Sequence, residues 1–161
     1  MKKLAGPSNY VEDPDRKANK KLMLQAMKQV ESRGGEDTNH DGDAIGDYGL
    51  RPIAIQDIYE KSPDLQEKYK KFSDIMNAVE GDKLLQDDIA GQYYDLLNKK
   101  AKDDPNAMAY GWLNGGQGLR RAQESNKDII NHWHNKKVQK EYKRFSDIEK
   151  ATRSPLDFLK K

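Results

Sequence analysis

The chain has 161 residues (18.5 kDa), of which 35% are charged and 35% hydrophobic; 29 basic side chains face 27 acidic ones, and the mean hydropathy is −1.09. That length suits one globular domain with a small core built from a few well-placed apolar faces, and the even charge argues against a protein made chiefly to coat nucleic acid. The absence of cysteine excludes a disulfide scaffold, thiolate catalysis and a cysteine-built zinc site, and no apolar run approaches the roughly 18 residues of a membrane span.

Residues 1–15, with Pro7, Asn9, Asp13 and Pro14, read as an extended arm. The lysines at its start are not followed by an apolar stretch, so no secretory signal peptide is expected. A domain is expected over 16–161. From Arg16, Leu22, Ala26, Met27 and Val30 fall on one helical face, and Gly34-Gly35 stops the helix. Residues 34–49 are glycine- and aspartate-rich and read as a loop, with room for one short β-hairpin at Ala44 to Tyr48. Pro52 opens a second helix, and Ser62-Pro63 breaks it. Ser73-Asp74 reads as an N-cap for 74–80 with Gly81 as a stop. The strongest helix covers 83–101, with Leu85, Ile89, Tyr93, Leu96 and Leu97 on one stripe. Asp104-Pro105 opens the next, which Asn114-Gly115-Gly116 is expected to stop. A last helix is expected from about Asn126 to Arg144, with Ile129, Ile130, Trp133, Val138 and Tyr142 inward and a tail over 145–161 docking across the domain. No alternating run is long enough for a sheet, so the fold class is mainly α. One heptad recurs: Tyr69-Lys-Lys-Phe-Ser-Asp-Ile75 and Tyr142-Lys-Arg-Phe-Ser-Asp-Ile148. Both copies read as joints between helices with Ser-Asp caps.

The residues that carry chemistry begin at Glu31, at the end of the first amphipathic helix and beside its apolar face. A carboxylate there is partly desolvated and faces the carbonyl end of the helix, and both effects favour the protonated acid. Cleavage of a glycosidic bond needs such an acid. Three pieces then follow in order: Glu31-Ser32, Gly46-Asp47-Tyr48-Gly49-Leu50-Arg51-Pro52-Ile53 fifteen residues on, and Trp112-Leu113-Asn114-Gly115-Gly116 at a helix end.

This order resembles the lysozyme-like soluble lytic transglycosylase family, whose motifs are Glu-Ser, Gly-x-x-Gly-Leu-Met-Gln-Ile and an aromatic-Asn-x-Gly. His132-Trp133 and Lys137-Val138 look like the end of related phage and bacterial muralytic domains. The resemblance covers roughly residues 20–140. It implies a small α-helical lysozyme-like domain with a glycan cleft. It implies that Glu31 protonates the bond between N-acetylmuramic acid and N-acetylglucosamine, then accepts the muramoyl 6-hydroxyl proton to give a 1,6-anhydro product. Ser32 would position substrate or steady Glu31. Tyr48, Gly49, Leu50 and Ile53 would build one side of the cleft, and Tyr110, Asn114 and Gly115 the other. The family's Met-Gln is Arg51-Pro52 here; Gln56, one helical turn on, stands where it could replace the glutamine. The aromatic before the asparagine is Leu113, with Trp112 and Tyr110 beside it.

Three further carboxylates, Asp41, Asp43 and Asp47, are candidates to place a water and turn the outcome into hydrolysis; the alternative is that they form turns. Asp37, Asn39, Asp41 and Asp43 match the first half of an EF-hand loop, but the twelfth position is Tyr48 instead of a bidentate glutamate. The two readings are a weak calcium site and a metal-free turn; catalysis by Glu31 would require no cofactor. The expected partner is the peptidoglycan glycan strand, with other phage virion or lysis proteins as further partners, and neither nucleic acid nor a membrane span. A chain made in the host cytoplasm without a signal peptide, acting at the wall or carried in the virion, fits a phage endolysin or a virion-associated murein hydrolase. The competing function is a non-catalytic phage assembly protein that keeps a lysozyme-like fold, which Arg51-Pro52 and Leu113 favour.

Overall fold

The computed structural model describes residues 16–159 apart from 39, 41, 130 and 131, and leaves aside the side chains of 16–18, 133 and 152–159. The arm, Ile130, residues 160–161 and the side chains of Trp133 and of 152–159 in the tail therefore lie outside the described residues. Within them the chain is mainly helical, with seven helices and no strand: α1 (Arg16–Ser32), α2 (Pro52–Lys61), α3 (Pro63–Lys68), α4 (Phe72–Val79), α5 (Lys83–Ala101), α6 (Pro105–Glu124) and α7 (Trp133–Leu159). No described helix is long and apolar enough to cross a membrane.

Helix starts follow local chemistry. Pro52, Pro63 and Pro105 each occupy a first helical turn, where a missing N–H costs nothing. Ser62 ends α2 and caps α3, its hydroxyl accepting the N–H of Leu65. Asp82 and Asp104 cap α5 and α6 by accepting N–H groups of Leu85 and Asn106, both at 3.0 Å. Arg33 turns left-handed (φ 52°) and ends α1 one residue before the two glycines.

α5 packs on α6, and α7 packs on α1 and α6. Met27, Leu50, Ile55, Ile75, Ile89, Leu97, Met108 and Leu119 fill the shared core. Gly111 lets α6 approach α5: a Cβ there would stand 3.3 Å from Leu97 and 3.2 Å from Leu119. A buried polar residue, Gln86, ties three elements together. Its amide nitrogen donates to the carbonyls of Val79 and Glu80, while its oxygen accepts the N–H of Asp47.

Several sequence expectations are corrected. The hairpin near Ala44–Tyr48 reduces to a single antiparallel bridge between Ile45 and Leu50, bonded in both directions at 2.8 and 2.9 Å. Too few residues separate the bridge from the helix at Pro52 for a strand to grow. The first helical run of α6 does end at Asn114, where Gly115 adopts φ 79°, ψ 168°; what was not expected is a second run beyond the kink, which reaches Glu124. α4 starts at Phe72, because Asp74 reaches back from the helix's first turn to accept the N–H of Lys71 instead of capping from outside. The last helix begins at Trp133, not Asn126. Asn126 is left-handed and Lys127 N–H closes on the carbonyl of Ala122, so 125–129 is a joint that buries Ile129. α7 then continues to Leu159. The second heptad copy, Tyr142–Ile148, consequently lies inside a helix, whereas the first spans the α3–α4 joint.

Candidate functional site

Glu31 is the penultimate residue of α1, and its side chain retains 19% exposure. Two distant pieces of chain meet it. From the loop, Gly49 (φ 60°) presses its bare Cα against the carboxyl: a Cβ there would sit 2.7 Å from Glu31 Oε2. From the first turn of α7, His134 brings Nε2 to 2.9 Å from Oε1. The His134 side chain is 2% exposed.

The loop that delivers Gly49 is anchored from behind. The Ser32 hydroxyl, buried, lies 2.6 Å from the carbonyl of Asp47 and accepts the N–H of Gly35 at 2.8 Å. The Asp47 carboxylate is also buried and pairs with the ammonium groups of Lys83 and, at 3.7 Å, Lys28. His40 Nε2 approaches the carbonyl of Gly46 to 2.6 Å. Gly46 itself (φ 74°) leaves room for Gln86, which a Cβ would meet at 2.6 Å. Tyr48 donates its hydroxyl to Asp87 at 2.8 Å; burial, and then Asp87, push its phenol well above the usual range. Trp112 packs edge-on to Tyr93 and tilted against Tyr48.

On the α6–α7 side, the Tyr110 ring meets His132 edge-on at 5.4 Å, and its hydroxyl accepts from Lys127 Nζ at 3.2 Å. Burial, then His134 and Lys127, hold His132 below the ordinary histidine range. Its Nδ1 accepts the backbone N–H of His134 at 3.3 Å and so caps α7.

Among the residues singled out from sequence, Glu31 and Gly49 are in contact. Ser32, Tyr48, Leu50 and Tyr110 are buried and reach any ligand only through packing. Ile53 is 72% exposed; Gln56 is exposed and donates to Glu60. Asn114 is exposed and donates to the carbonyl of Tyr110 at 3.0 Å, beside the Gly115 kink. Asp43 is exposed and Asp37 partly so, while Asn39 and Asp41 lie outside the described residues. Among the described residues no group of three or more histidine, cysteine, aspartate or glutamate side chains is assembled to hold a metal ion.

Sequence reasoning missed His134 and Gln86. Gln86 carried a signal: it stands three, four and seven residues before Ile89, Ala90 and Tyr93, a polar residue on a core stripe. His134 carried none, because its partner lies 103 residues away. No protein-family model, no curated protein and no solved structure matches this chain.

Proposed function

We propose that the protein is a lytic transglycosylase of lysozyme-like type, acting on the β-1,4 bond between N-acetylmuramic acid and N-acetylglucosamine with Glu31 as its general acid and base. The observation that carries this reading is the setting of Glu31: a carboxyl at a helix end that keeps 19% exposure, with one oxygen against a buried imidazole and the other over the side-chain-free Gly49. Glu31 protonates the glycosidic oxygen as the bond to C1 breaks. The carboxylate then takes the proton of the muramoyl 6-hydroxyl as that oxygen closes on C1, so a 1,6-anhydro ring forms and no water is consumed. The pairing of Asp47 with Lys83 and Lys28 supports the single-carboxylate route, since Asp47 is committed to holding the loop. Ser32 steadies the helix end behind Glu31. Tyr48, Leu50 and Tyr110 back the cleft, and the exposed Ile53, Gln56 and Asn114, with Gly49 and Gly115, face the glycan. The cellular role that fits is a phage endolysin or virion-associated murein hydrolase.

Digestion of purified peptidoglycan, with muropeptides weighed by mass spectrometry, tests this. Wild type should release products lighter by one water than hydrolytic ones. Glu31→Gln should fold normally and lose about 10²–10⁴-fold in rate. Equal cleavage by both proteins refutes the role of Glu31. No cleavage by either leaves the non-catalytic assembly role as the better reading.

A further inference from the structure

The two oxygens of Glu31 have different surroundings. Oε1 faces the Nε2 of His134 at 2.9 Å, a ring that is 2% exposed. Oε2 faces the Cα of Gly49, where even a methyl group would come within 2.7 Å. A hydrogen bond between a carboxyl oxygen and an imidazole nitrogen needs one proton, carried by one partner or the other. Were it carried by the carboxyl, the acidic hydrogen would point into a buried ring that no substrate reaches. Carried by Nε2, it is donated to Oε1 whether Glu31 is ionised or protonated, and the exchangeable proton is confined to Oε2.

We infer that His134 is the positioning residue of Glu31: its Nε2–H donates to Oε1 and thereby reserves Oε2, lying over Gly49, as the oxygen that gives and takes the proton. This rests on the reading of Glu31 as the general acid. His134 does not touch substrate; it removes the freedom of the carboxyl to rotate and selects which oxygen is presented. The ring is fixed in turn. His132 Nδ1 accepts the His134 backbone N–H. The adjacent Asn135 is fully buried, and its amide donates to the carbonyls of Asn106 at 2.9 Å and Ile129 at 2.8 Å. The first turn of α7 is thus pinned to α6 and to the preceding joint, and the position of the imidazole follows.

The test has two arms on the full chain. The first needs no activity: the ring nitrogens of the three histidines are read by proton–nitrogen correlation spectroscopy at neutral pH, with His134 assigned by its loss in His134→Gln. The expected result is a protonated Nε2 on His134 whose signals move in Glu31→Ala. An unprotonated Nε2, or signals indifferent to Glu31→Ala, overturns the inference. The second arm measures turnover of soluble glycan strands. His134→Leu should lower kcat roughly 10–100-fold with KM within about twofold. His134→Gln, whose amide nitrogen falls near the place of Nε2, should recover most of the loss. Failure of His134→Gln to recover while it melts like wild type overturns the inference, as does a raised KM with kcat kept. If His134→Leu does not fold, His134→Gln and the ring signals decide. Wild type that cleaves no glycan defeats the functional reading alone, because the ring signals still answer for the hydrogen bond.

Discussion

The indole Nε1–H of Trp112 donates to the backbone carbonyl of Tyr48 at 3.0 Å, a buried bond that spans 64 residues. It joins the middle of α6 to the residue before Gly49, so the glycine that faces Glu31 is placed partly from the far side of the molecule. Trp112→Phe keeps an aromatic ring against Tyr93 but leaves a buried carbonyl without its donor. We expect a loss of about 1–3 kcal/mol in urea unfolding. A change below about 0.5 kcal/mol would mean that water or relaxation supplies the missing donor readily.

Gly49 and Gly115 are both left-handed, at φ 60° and 79°, but only one has a neighbour in the way. A Cβ at Gly115 meets nothing within 4 Å; at Gly49 it collides with the Glu31 carboxyl. Gly115→Ala should therefore cost only backbone strain, about 1–3 kcal/mol. Gly49→Ala should cost more than that and should also perturb the His134 ring signals, which Gly115→Ala leaves in place. Equal melting points and unchanged ring signals in both variants would contradict this account.

Asp104 caps α6 while largely buried, and burial raises its carboxyl above the usual range against the pull of the N–H groups of Asn106 and Ala107. Because the folded state binds this proton more tightly than the unfolded chain, the contribution of Asp104 to stability falls as pH rises through the aspartate range. Asparagine caps equally well and carries no charge. Asp104→Asn should thus gain on wild type as pH rises above that range and lose the gain as pH falls below it. Melting curves taken across the acid range check the sign, and a gain confined to low pH would reverse it.

The Tyr59 hydroxyl donates to the carbonyl of Tyr69 at 2.5 Å, at the start of the first heptad copy. That carbonyl is drawn out of any continuing helix, and Asp74 then accepts Lys71 N–H to start α4. Tyr59→Phe should destabilise the fold by about 1 kcal/mol and speed hydrogen exchange over 69–72. Exchange as slow as in wild type would show that the joint holds without this bond.

The sequence by itself determined where most helices begin and where α1 ends. Asp82, Asp104-Pro105 and Ser62-Pro63 act within one helical turn, on backbone groups whose unmet hydrogen bonds are the same in any fold, and Gly34-Gly35 lead the chain away just beyond the left-handed Arg33 that ends α1. It also determined that Glu31 stands at a helix end beside the apolar face of Met27 and Val30. Local chemistry did not decide the fate of the repeated heptad. At Asp74 the carboxylate caps a new helix beneath the pull of Tyr59; at Asp147 the corresponding carboxylate pairs with Lys143 one turn back at 2.8 Å, which lowers its proton affinity and leaves the helix unbroken. Nearly identical residues take two conformations because their neighbours differ. Nor could the order of residues reveal that His134 reaches Glu31, since that bond exists only once α7 has packed on α1. Capping is a short-range interaction and is written in the sequence; the partner of a buried polar group depends on which helices meet, and only the tertiary structure decides that.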